Sequence, residues 1–270
     1  MKICIAGKNS IAIDTIKYLL NGLNLNHDNI CIITNRTDDG EDTWQPSLKK
    51  YSLENELALV DLENIYNIEN LLFISLEYDK IIKPNLFKSD KLFNIHFSLL
   101  PRYKGMYTSV HPILNGEKNS GVTLHEIDPG IDTGDILFQK SFEINIDDTS
   151  RDLYLKYLHY GKELIMNNLP FLLNNNYSSK PQGFVNSSYY SKKSIDFNNI
   201  IIDLNKTSFE IHNQLRAYIF PEYQLPSLKN NLIKKSVIKD EFIGTKVFTE
   251  TDEKIILSGI DGFKIEALKK

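Results

Sequence analysis

The sequence predicts an α/β protein with a Rossmann-like, mostly parallel sheet, followed by a small β-rich appendage. Four short apolar runs, at 2–7, 29–35, 71–78 and 91–101, are typical of buried strands. Stretches with helical spacing such as 11–20 lie between them, and this alternation favours a parallel sheet. Ligands of such sheets collect beyond the carboxyl ends of the strands. The loops that follow Gly7, Asn35, Tyr78 and His96 are therefore the predicted location of a site.

The middle of the chain has a different pattern. Two β-rich runs within 121–144 flank the turn-forming stretch DPGIDTGD, which predicts a hairpin-like excursion with a loop at its tip. Residues 148–173 form a long amphipathic pattern that predicts a helix. Thr149 or Ser150 is a candidate N-cap for this helix, and Pro170 should disturb its end.

The composition changes after about residue 175. A polar stretch at 178–194 precedes a short helical pattern at 207–223 that runs into aromatic residues, and short β-type runs begin near residue 230. We therefore expect a Rossmann-like domain at 1–180. The segment 181–270 is expected to contain a helix, an aromatic loop and a small β-subdomain.

Charge and composition exclude several classes of protein. The chain has 270 residues, 41% of them hydrophobic, and a formal net charge of -4. A protein that grips many phosphates carries a basic excess, so nucleic-acid binding is not expected, although a pocket for one small anion remains open. No stretch is apolar enough to span a membrane, and the amino-terminal apolar run is too short for a signal peptide. The two cysteines, Cys4 and Cys31, are predicted to be buried thiols of a cytoplasmic protein.

An amide and an imidazole share one face of a predicted strand. Asn94 and His96 are two positions apart, so both side chains point the same way at the carboxyl end of that strand. The amide donates hydrogen bonds and the imidazole can move a proton near neutral pH, which suits a reaction in which a carbonyl oxygen becomes negative. No nucleophile-elbow motif accompanies them, so a nucleophile on the substrate is the simpler hypothesis.

A carboxylate beside this imidazole would orient it and stabilise its charged form. The turn DPGIDTGD offers Asp128, Asp132 and Asp135, and Asp132 lies between two glycines. Aspartates are also common turn formers, so both interpretations stay open at this point. The six histidines show no metal-ligand spacing, and no metal is expected.

Two segments together resemble the family of formyltransferases that use 10-formyltetrahydrofolate. FNIHFSLLPRYKG is followed by GVTLHEIDPGIDTGDIL, which places the family pattern on Asn94, His96, the Ser-Leu-Leu-Pro at 98–101 and Asp132-Thr133-Gly134. The resemblance implies that a substrate amine attacks the formyl carbon of the folate. It also implies that Asn94 and protonated His96 stabilise the oxyanion, and that Asp132 holds His96 and takes part in proton removal. The folate pocket is implied at Leu76, Glu77, Tyr78, Ile127, Asp128 and Asp132.

Within this family, the sequence is most similar to enzymes that formylate nucleotide-linked aminosugars. The segment GKNS at 7–10 differs from the corresponding loop of the purine-pathway enzymes. The segment KGMYTS at 104–109 differs from the corresponding segment of the methionyl-tRNA enzymes. The resemblance implies a dTDP-linked amino-dideoxyhexose as substrate, with a 3-amino sugar preferred and a 4-amino isomer possible, for surface glycan (lipopolysaccharide) biosynthesis. A homodimer is expected through the β-rich segment. The candidate substrate-binding residues are Lys8, Asn9, Ser10, Arg102, Tyr103, Lys104, Arg216, Tyr218, Phe220 and Tyr223.

Other functions remain as alternatives. Within the family, the acceptor could be methionyl-tRNA or glycinamide ribonucleotide, or water could replace it, as in a formyltetrahydrofolate deformylase. From another class, the chain could be a non-catalytic folate- or nucleotide-binding module. The aromatic residues near Pro221 could equally be core residues rather than stacking partners of a pyrimidine base.

Overall fold

A computed structural model describes residues 1–270 as two compact units. The first unit comprises Met1–Lys104, Gly121–Ser141 and Tyr157–Tyr189. The second comprises Gly105–Ser120, Phe142–Lys156 and Tyr190–Lys270. Neither unit is continuous in the sequence. The division into a catalytic domain at 1–180 and a carboxyl-terminal segment at 181–270 stays a prediction.

A seven-stranded sheet in the order β3-β2-β1-β4-β5-β7-β8 is built largely from the first unit. Strands β1 to β5 pair in parallel, and β7 adds to β5 in the antiparallel direction. The central strands are apolar on both faces, as expected of strands covered on both sides. The seven strands are β1 (Lys2–Gly7), β2 (Ile30–Thr34), β3 (Ala58–Leu59), β4 (Leu71–Leu76), β5 (Leu92–His96), β7 (Asn119–Glu126) and β8 (Ile136–Glu143).

Short helices connect the parallel strands, and a long helix follows β8. Helix α1 begins at the loop after β1 and continues into a turn of π-helix at Tyr18–Gly22. The long helix has a capping box, in which Thr149 Oγ1 accepts from the Asp152 backbone N–H and Asp152 Oδ2 accepts from the Thr149 N–H. The helices are α1 (Asn9–Lys17), α2 (Leu48–Glu54), α3 (Leu62–Ile65), α4 (His111–Leu114), α5 (Ser150–Leu173) and α6 (Ser208–Ala217).

The second unit contains a five-stranded antiparallel sheet in the order β10-β11-β14-β13-β12. Helix α6 packs its apolar face, including Ile211 and Leu215, against Ile233, Ile255 and Ile265 of this sheet. Thr207 caps α6 in a second capping box with Glu210. The strands are β10 (Ser227–Leu228), β11 (Asn231–Phe242), β12 (Phe248–Glu250), β13 (Lys254–Ser258) and β14 (Phe263–Lys269); two further short strands, β6 (Lys104–Gly105) and β9 (Tyr189–Tyr190), form a separate ladder.

The predicted fold class is confirmed: a mostly parallel sheet with helices and a separate antiparallel β-rich part. The predicted N-cap Thr149 is confirmed by its capping box, whereas α5 continues through Pro170 and ends at Leu173. Cys4 and Cys31 are free and buried, opposite one another on β1 and β2. No helix of the structure is both long enough and apolar enough to cross a membrane.

Candidate active site

The predicted amide and imidazole lie at the carboxyl end of β5. Asn94 and His96 share one face of the strand, and His96 is its last residue. The antiparallel neighbour β7 brings His125 directly opposite Asn94 in the register. Because β5 is parallel to β4 and β1, this end of the strand lies at the edge of the sheet where ligands of such folds bind.

His96 is buried and has an acceptor at each ring nitrogen. Its Nδ1 atom lies 3.4 Å from Oδ1 of Asp132, and its Nε2 atom is 2.8 Å from the carbonyl oxygen of Tyr103. A carbonyl oxygen only accepts, so Nε2 carries the hydrogen of that bond. The structure therefore brings His96 and Asp132 together as predicted from the sequence.

Asp132 lies in the loop between β7 and β8, in a left-handed backbone conformation with φ of 54°. Such a conformation is uncommon for a residue with a side chain and is found at functional sites. Gly134 is required nearby, because a Cβ there would overlap the carbonyl oxygen of Glu126. Asp128 acts within the loop, where its carboxylate accepts from Thr133 Oγ1 and from the Gly130 backbone N–H.

His125 is a member of the site that sequence reasoning missed. Its Nδ1 atom donates to the Glu126 carbonyl oxygen at 2.7 Å, and burial lowers its pKa to about 4. The ring is therefore neutral near pH 7, and its Nε2 atom accepts from Asn94 Nδ2 at 3.1 Å. The same Nε2 atom lies 3.7 Å from Asp132 Oδ1. His125 thus fixes the orientation of the Asn94 amide and leaves its second N–H free to point elsewhere.

One sequence signal could have identified His125. It stands near the end of a strand-like run directly before the DPGIDTGD turn, just as His96 stands at the end of its own run. Contact with Asn94, however, depends on the register of β7 against β5, and alternation alone does not give a register.

The residues predicted for the folate pocket flank one apolar cluster of the first unit. Tyr78, after β4, and Ile127, after β7, both pack against the buried cluster that contains Cys4 and Phe73. Burial raises the pKa of Tyr78 to about 12, so its phenol stays neutral. The carbonyl oxygens of Leu76 and Glu77 already accept hydrogen bonds, from the Lys8 backbone N–H and from Asn35 Nδ2.

Lys8, Asn9 and Ser10, predicted to bind substrate, lie beside Glu77. The Lys8 ammonium is 4.0 Å from the Glu77 carboxylate, and Asn9 Nδ2 donates to the same carboxylate at 3.4 Å. Asn9 and Glu77 both have positive φ, of 69° and 60°. This contact joins the predicted substrate loop to the predicted folate loop.

Arg102, Tyr103 and Lys104 follow β5 and differ in exposure. Tyr103 is buried and has a positive φ of 57°, and the Arg102 guanidinium lies over its ring. Lys104 is only 9% exposed and donates from Nζ to Ser187 Oγ at 2.8 Å. Burial lowers the pKa of Lys104, while the charges of Asp132 and Asp128 act in the opposite direction.

Arg216 lies in the second unit and is 2% exposed. Its guanidinium donates from Nη1 to the carbonyl oxygens of Asn145 and Asp148, and from Nε to Asn213 Oδ1. Burial lowers its pKa to about 10. These bonds tie α6 to the residues that precede α5. The predicted substrate contact of Arg216 stays a prediction that these hydrogen bonds do not support.

The aromatic residues predicted to enclose a base do not form one pair of facing rings. Tyr218 packs edge-on against Phe197, with centroids 6.4 Å apart. Phe220 is buried and contacts Tyr154 and Tyr223 instead. Of the three predicted residues, Tyr223 is the most exposed. A sandwich built from Tyr218, Phe220 and Tyr223 is therefore not seen in this arrangement.

The chain belongs to the formyl transferase family, whose amino-terminal domain it matches over residues 6–169. This family is the one that the Asn94, His96 and Asp132 motifs indicate. No group of three or more His, Cys, Asp and Glu side chains is arranged to hold a metal ion, and metal-free chemistry stays a prediction.

Two solved structures are similar over the whole chain. WlaRD, described as a sugar 3N-formyl transferase in the presence of dTDP and 5-N-formyl-THF, is 54% identical, with a TM-score of 0.97 and coverage of 100% of this chain and 97% of that one. An N-formyltransferase from Helicobacter canadensis, in complex with folinic acid and dTDP-3-aminofucose, is 51% identical, with a TM-score of 0.98 and full coverage of both chains.

Curated relatives are more distant. The bifunctional polymyxin resistance protein ArnA of Wigglesworthia glossinidia brevipalpis is 32% identical over 221 residues, covering 77% of this chain and 33% of that protein. The chain spans about a third to about half of the length of the first two curated relatives. The similarity of this chain to each of these relatives therefore concerns only the aligned segment.

Proposed function

We propose that this protein transfers the formyl group of 10-formyltetrahydrofolate to the amino group of a dTDP-linked amino-dideoxyhexose. The observation that carries the proposal is identity of 54% and 51%, over nearly the full length of both chains, to two sugar N-formyltransferases described with thymidine nucleotides and formylated folates. Both descriptions refer to a 3-amino position, which supports the 3-amino sugar over the 4-amino isomer.

The residues of the first unit fit a flat folate ring. Tyr78 and Ile127 offer apolar side chains on two loops that pack against the same buried cluster. Flat heterocycles are held by such apolar surfaces together with a few backbone polar groups. Leu76, Glu77, Tyr78, Ile127 and Asp128 would hold the donor. When bound, the donor supplies an electrophilic formyl carbon, and a nitrogen of the folate is the leaving group.

Three side chains would act on the transfer. The second N–H of Asn94 is free to donate to the formyl oxygen, because the first is held by His125. His96 would contribute positive charge beside that oxygen, oriented by Tyr103 and Asp132. The carboxylate of Asp132 would accept the proton that the attacking amine loses. No nucleophile on the protein is needed, because the substrate amine forms the new carbon–nitrogen bond.

The pyrophosphate would be recognised by cations of the first unit. Lys8 and Arg102 keep part of their surface exposed near the carboxyl ends of β1 and β5. Asn9 and Ser10 remain candidates at the start of α1, although the Asn9 amide donates to Glu77 and the Ser10 backbone N–H donates to Asn9 Oδ1. Lys104 and Tyr103 remain candidates, although both are largely buried. Of the three aromatic residues predicted to contact a base, Tyr223 is the most exposed.

The proposal extends to location and assembly. The product would be a formylated sugar nucleotide for surface glycans such as lipopolysaccharide, made in the cytoplasm by a homodimer. The buried free cysteines and the exposed Phe242 and Phe263 of the β-rich sheet are in keeping with this proposal.

The test is a screen of dTDP- and UDP-linked 3-amino and 4-amino sugars with 10-formyltetrahydrofolate, read by mass for one added formyl group. We expect formylation of dTDP-linked 3-amino-3,6-dideoxyhexoses. Formylation of methionyl-tRNA or glycinamide ribonucleotide, but of no sugar nucleotide, would refute the proposed acceptor. Release of formate without any amine would indicate a deformylase, and folate binding without turnover would indicate a binding module.

A further inference from the structure

The chain after α5 returns along the loop that carries Asp132. Lys180 and Ile136 form an isolated antiparallel bridge, with backbone hydrogen bonds of 3.0 Å and 2.9 Å in the two directions. Residues 180–188, which we term the strap, then continue past this loop. Antiparallel register from the bridge places residue 182 opposite residue 134, where the ladder of backbone hydrogen bonds has already ended.

Beyond the last backbone hydrogen bond of this ladder, the side chain of Gln182 makes the next hydrogen bonds to the Asp132 loop. Its Nε2 atom donates to the carbonyl oxygen of Asp132 at 2.9 Å and to that of Gly134 at 2.8 Å. One side-chain amide therefore bridges the two carbonyl groups on either side of Thr133. Both acceptors belong to the turn that presents the Asp132 carboxylate to His96.

The orientation of this amide is determined by its partners. With the amide reversed, Oε1 would face two carbonyl oxygens, which cannot donate. In the observed orientation, both N–H groups are used, while the buried Oε1 atom has no hydrogen-bond partner in the protein. The polar contacts of the Gln182 side chain are therefore all made to the Asp132 loop.

Those bonds act on a residue with an uncommon backbone conformation. Asp132 has a φ of 54°, in the left-handed region that few residues other than glycine, asparagine and aspartate adopt. Gln182 clamps the carbonyl groups of residues 132 and 134 and so restricts the rotation that would relax this conformation. The carboxylate of Asp132 is thereby kept 3.4 Å from His96 Nδ1.

We infer that Gln182 is a positioning residue for the reaction, which acts through Asp132 although it lies outside the matched formyl transferase segment. Only the kinetic test of this inference depends on the proposed function. The other end of the strap supports it, because Ser188 Oγ accepts from the backbone N–H of Tyr103, whose carbonyl oxygen binds His96. The strap thus contacts the backbone beside both members of the His96–Asp132 pair.

The experiment compares Gln182→Ala and Gln182→Glu with the neighbouring control Gly183→Ala, where an added methyl group meets no atom within 4 Å. Glu keeps the shape of Gln but lacks both N–H donors when ionised. We expect kcat to fall roughly 10-fold to 100-fold in both Gln182 variants, with small changes in KM, as for a misplaced catalytic group. The control should stay within about twofold of the wild type.

A double-mutant cycle separates positioning from a general structural effect. In an Asp132→Ala background, adding Gln182→Ala should change the residual turnover by less than about twofold, because the group on which Gln182 acts is absent. A further loss as large as in the wild type would overturn the inference. So would unchanged kcat in the Gln182→Glu variant when its melting temperature matches the wild type.

Hydrogen–deuterium exchange provides a readout that does not depend on turnover. Peptides that cover residues 129–136 should exchange faster in both Gln182 variants than in the wild type and in Gly183→Ala. If the wild type formylates no sugar nucleotide, the proposed function fails while this measurement still tests the inference. Unchanged exchange across 129–136 in both Gln182 variants would show that Gln182 does not hold the loop.

Discussion

His96 Nδ1 lies 3.4 Å from Asp132 Oδ1, while His96 Nε2 donates to the carbonyl oxygen of Tyr103 at 2.8 Å. Two acceptors face opposite sides of one ring, so the ring can donate to both only with a proton on each nitrogen. The hydrogen on Nε2 is therefore engaged by Tyr103, and Nδ1 faces Asp132. In the proposed reaction, Asn94 is then the side chain whose second N–H would donate to the formyl oxygen.

Replacing Asp132 with Asn should abolish most of the turnover. Asn keeps the size of Asp132 but loses the charge that faces His96 and the ability to take a proton from the amine. We expect kcat to fall about 100-fold to 10,000-fold, the usual range for loss of a general acid or base. Steady-state kinetics and calorimetric binding of the folate and the sugar nucleotide would measure this, with Asp135→Asn as a control in the same loop. A loss below about tenfold would contradict the assigned role.

His125→Phe should lower kcat by orienting Asn94 less well. The neutral His125 accepts from the Asn94 amide through Nε2, and Phe fills similar space without an acceptor. We expect a fall of roughly 10-fold to 100-fold, and a smaller one for His125→Gln, whose oxygen can accept. The exposed His159→Phe is the matched control. Equal activity of His125→Phe and His159→Phe would show that His125 is not needed to orient Asn94.

Arg216→Met should destabilise the second unit. The substitution removes a buried cation and leaves the carbonyl groups of Asn145 and Asp148 without their donor. We expect a loss of about 3–5 kcal/mol in the free energy of unfolding, as for removal of one partner from a buried charged network. Urea denaturation would measure it. The same change at the exposed Arg36, which pairs with Asp79 at the surface, should cost less than about 1 kcal/mol.

Stability should fall on acidification below about pH 6.5, in part through His212. This histidine is buried, bonds Ser236 and the Ile146 carbonyl group, and has its pKa lowered by burial to about 4. Its pKa in the unfolded chain is about 6.5, so between these values the unfolded state binds the extra proton. The contribution is fully present above about pH 6.5 and is lost progressively towards pH 4, at most about 3 kcal/mol.

The measurement is the pH dependence of the unfolding free energy between pH 4 and pH 7 for the wild type and His212→Gln. The variant should be less stable near pH 7, and its stability should depend less steeply on pH because one proton-binding group has been removed. His27→Gln, at an exposed position, should keep the wild-type slope. An unaltered slope in His212→Gln would mean that another group dominates the acid response.

The strands and the shared face of Asn94 and His96 could be predicted because they depend on local pattern, whereas the pairing of Asp132 with His96 was expected from the family resemblance. Apolar runs that end in glycine or in a polar residue identify β1, β4 and β5. Because side chains alternate between the two faces of a strand, Asn94 and His96 of β5 lie on one face. Contacts that depend on register could not be predicted. His125 meets Asn94 only through the pairing of β7 with β5, and Gln182 meets Gly134 only through a bridge that forms after α5.

Burial was the second quantity that the sequence did not provide. Arg216 and Phe220 were both predicted to bind substrate, yet the first is held by backbone carbonyl groups and the second is largely covered. The sequence of a loop-like stretch does not show whether an aromatic or cationic residue in it faces solvent or the interior. Tertiary contacts decide that, and they involve residues as distant in sequence as Asn145.

The bridge between Lys180 and Ile136 has a practical consequence for chimeric enzymes. A graft that exchanged everything after residue 180 would retain Asn94, His96 and Asp132 but replace both Gln182 and Ser188. Such a hybrid would keep the predicted catalytic residues but lose the hydrogen bonds that Gln182 and Ser188 make to the backbone beside them. Crossover points placed after Ser188 would instead keep Gln182 and Ser188 in the same chain as the Asp132 loop and the Tyr103 backbone that they contact.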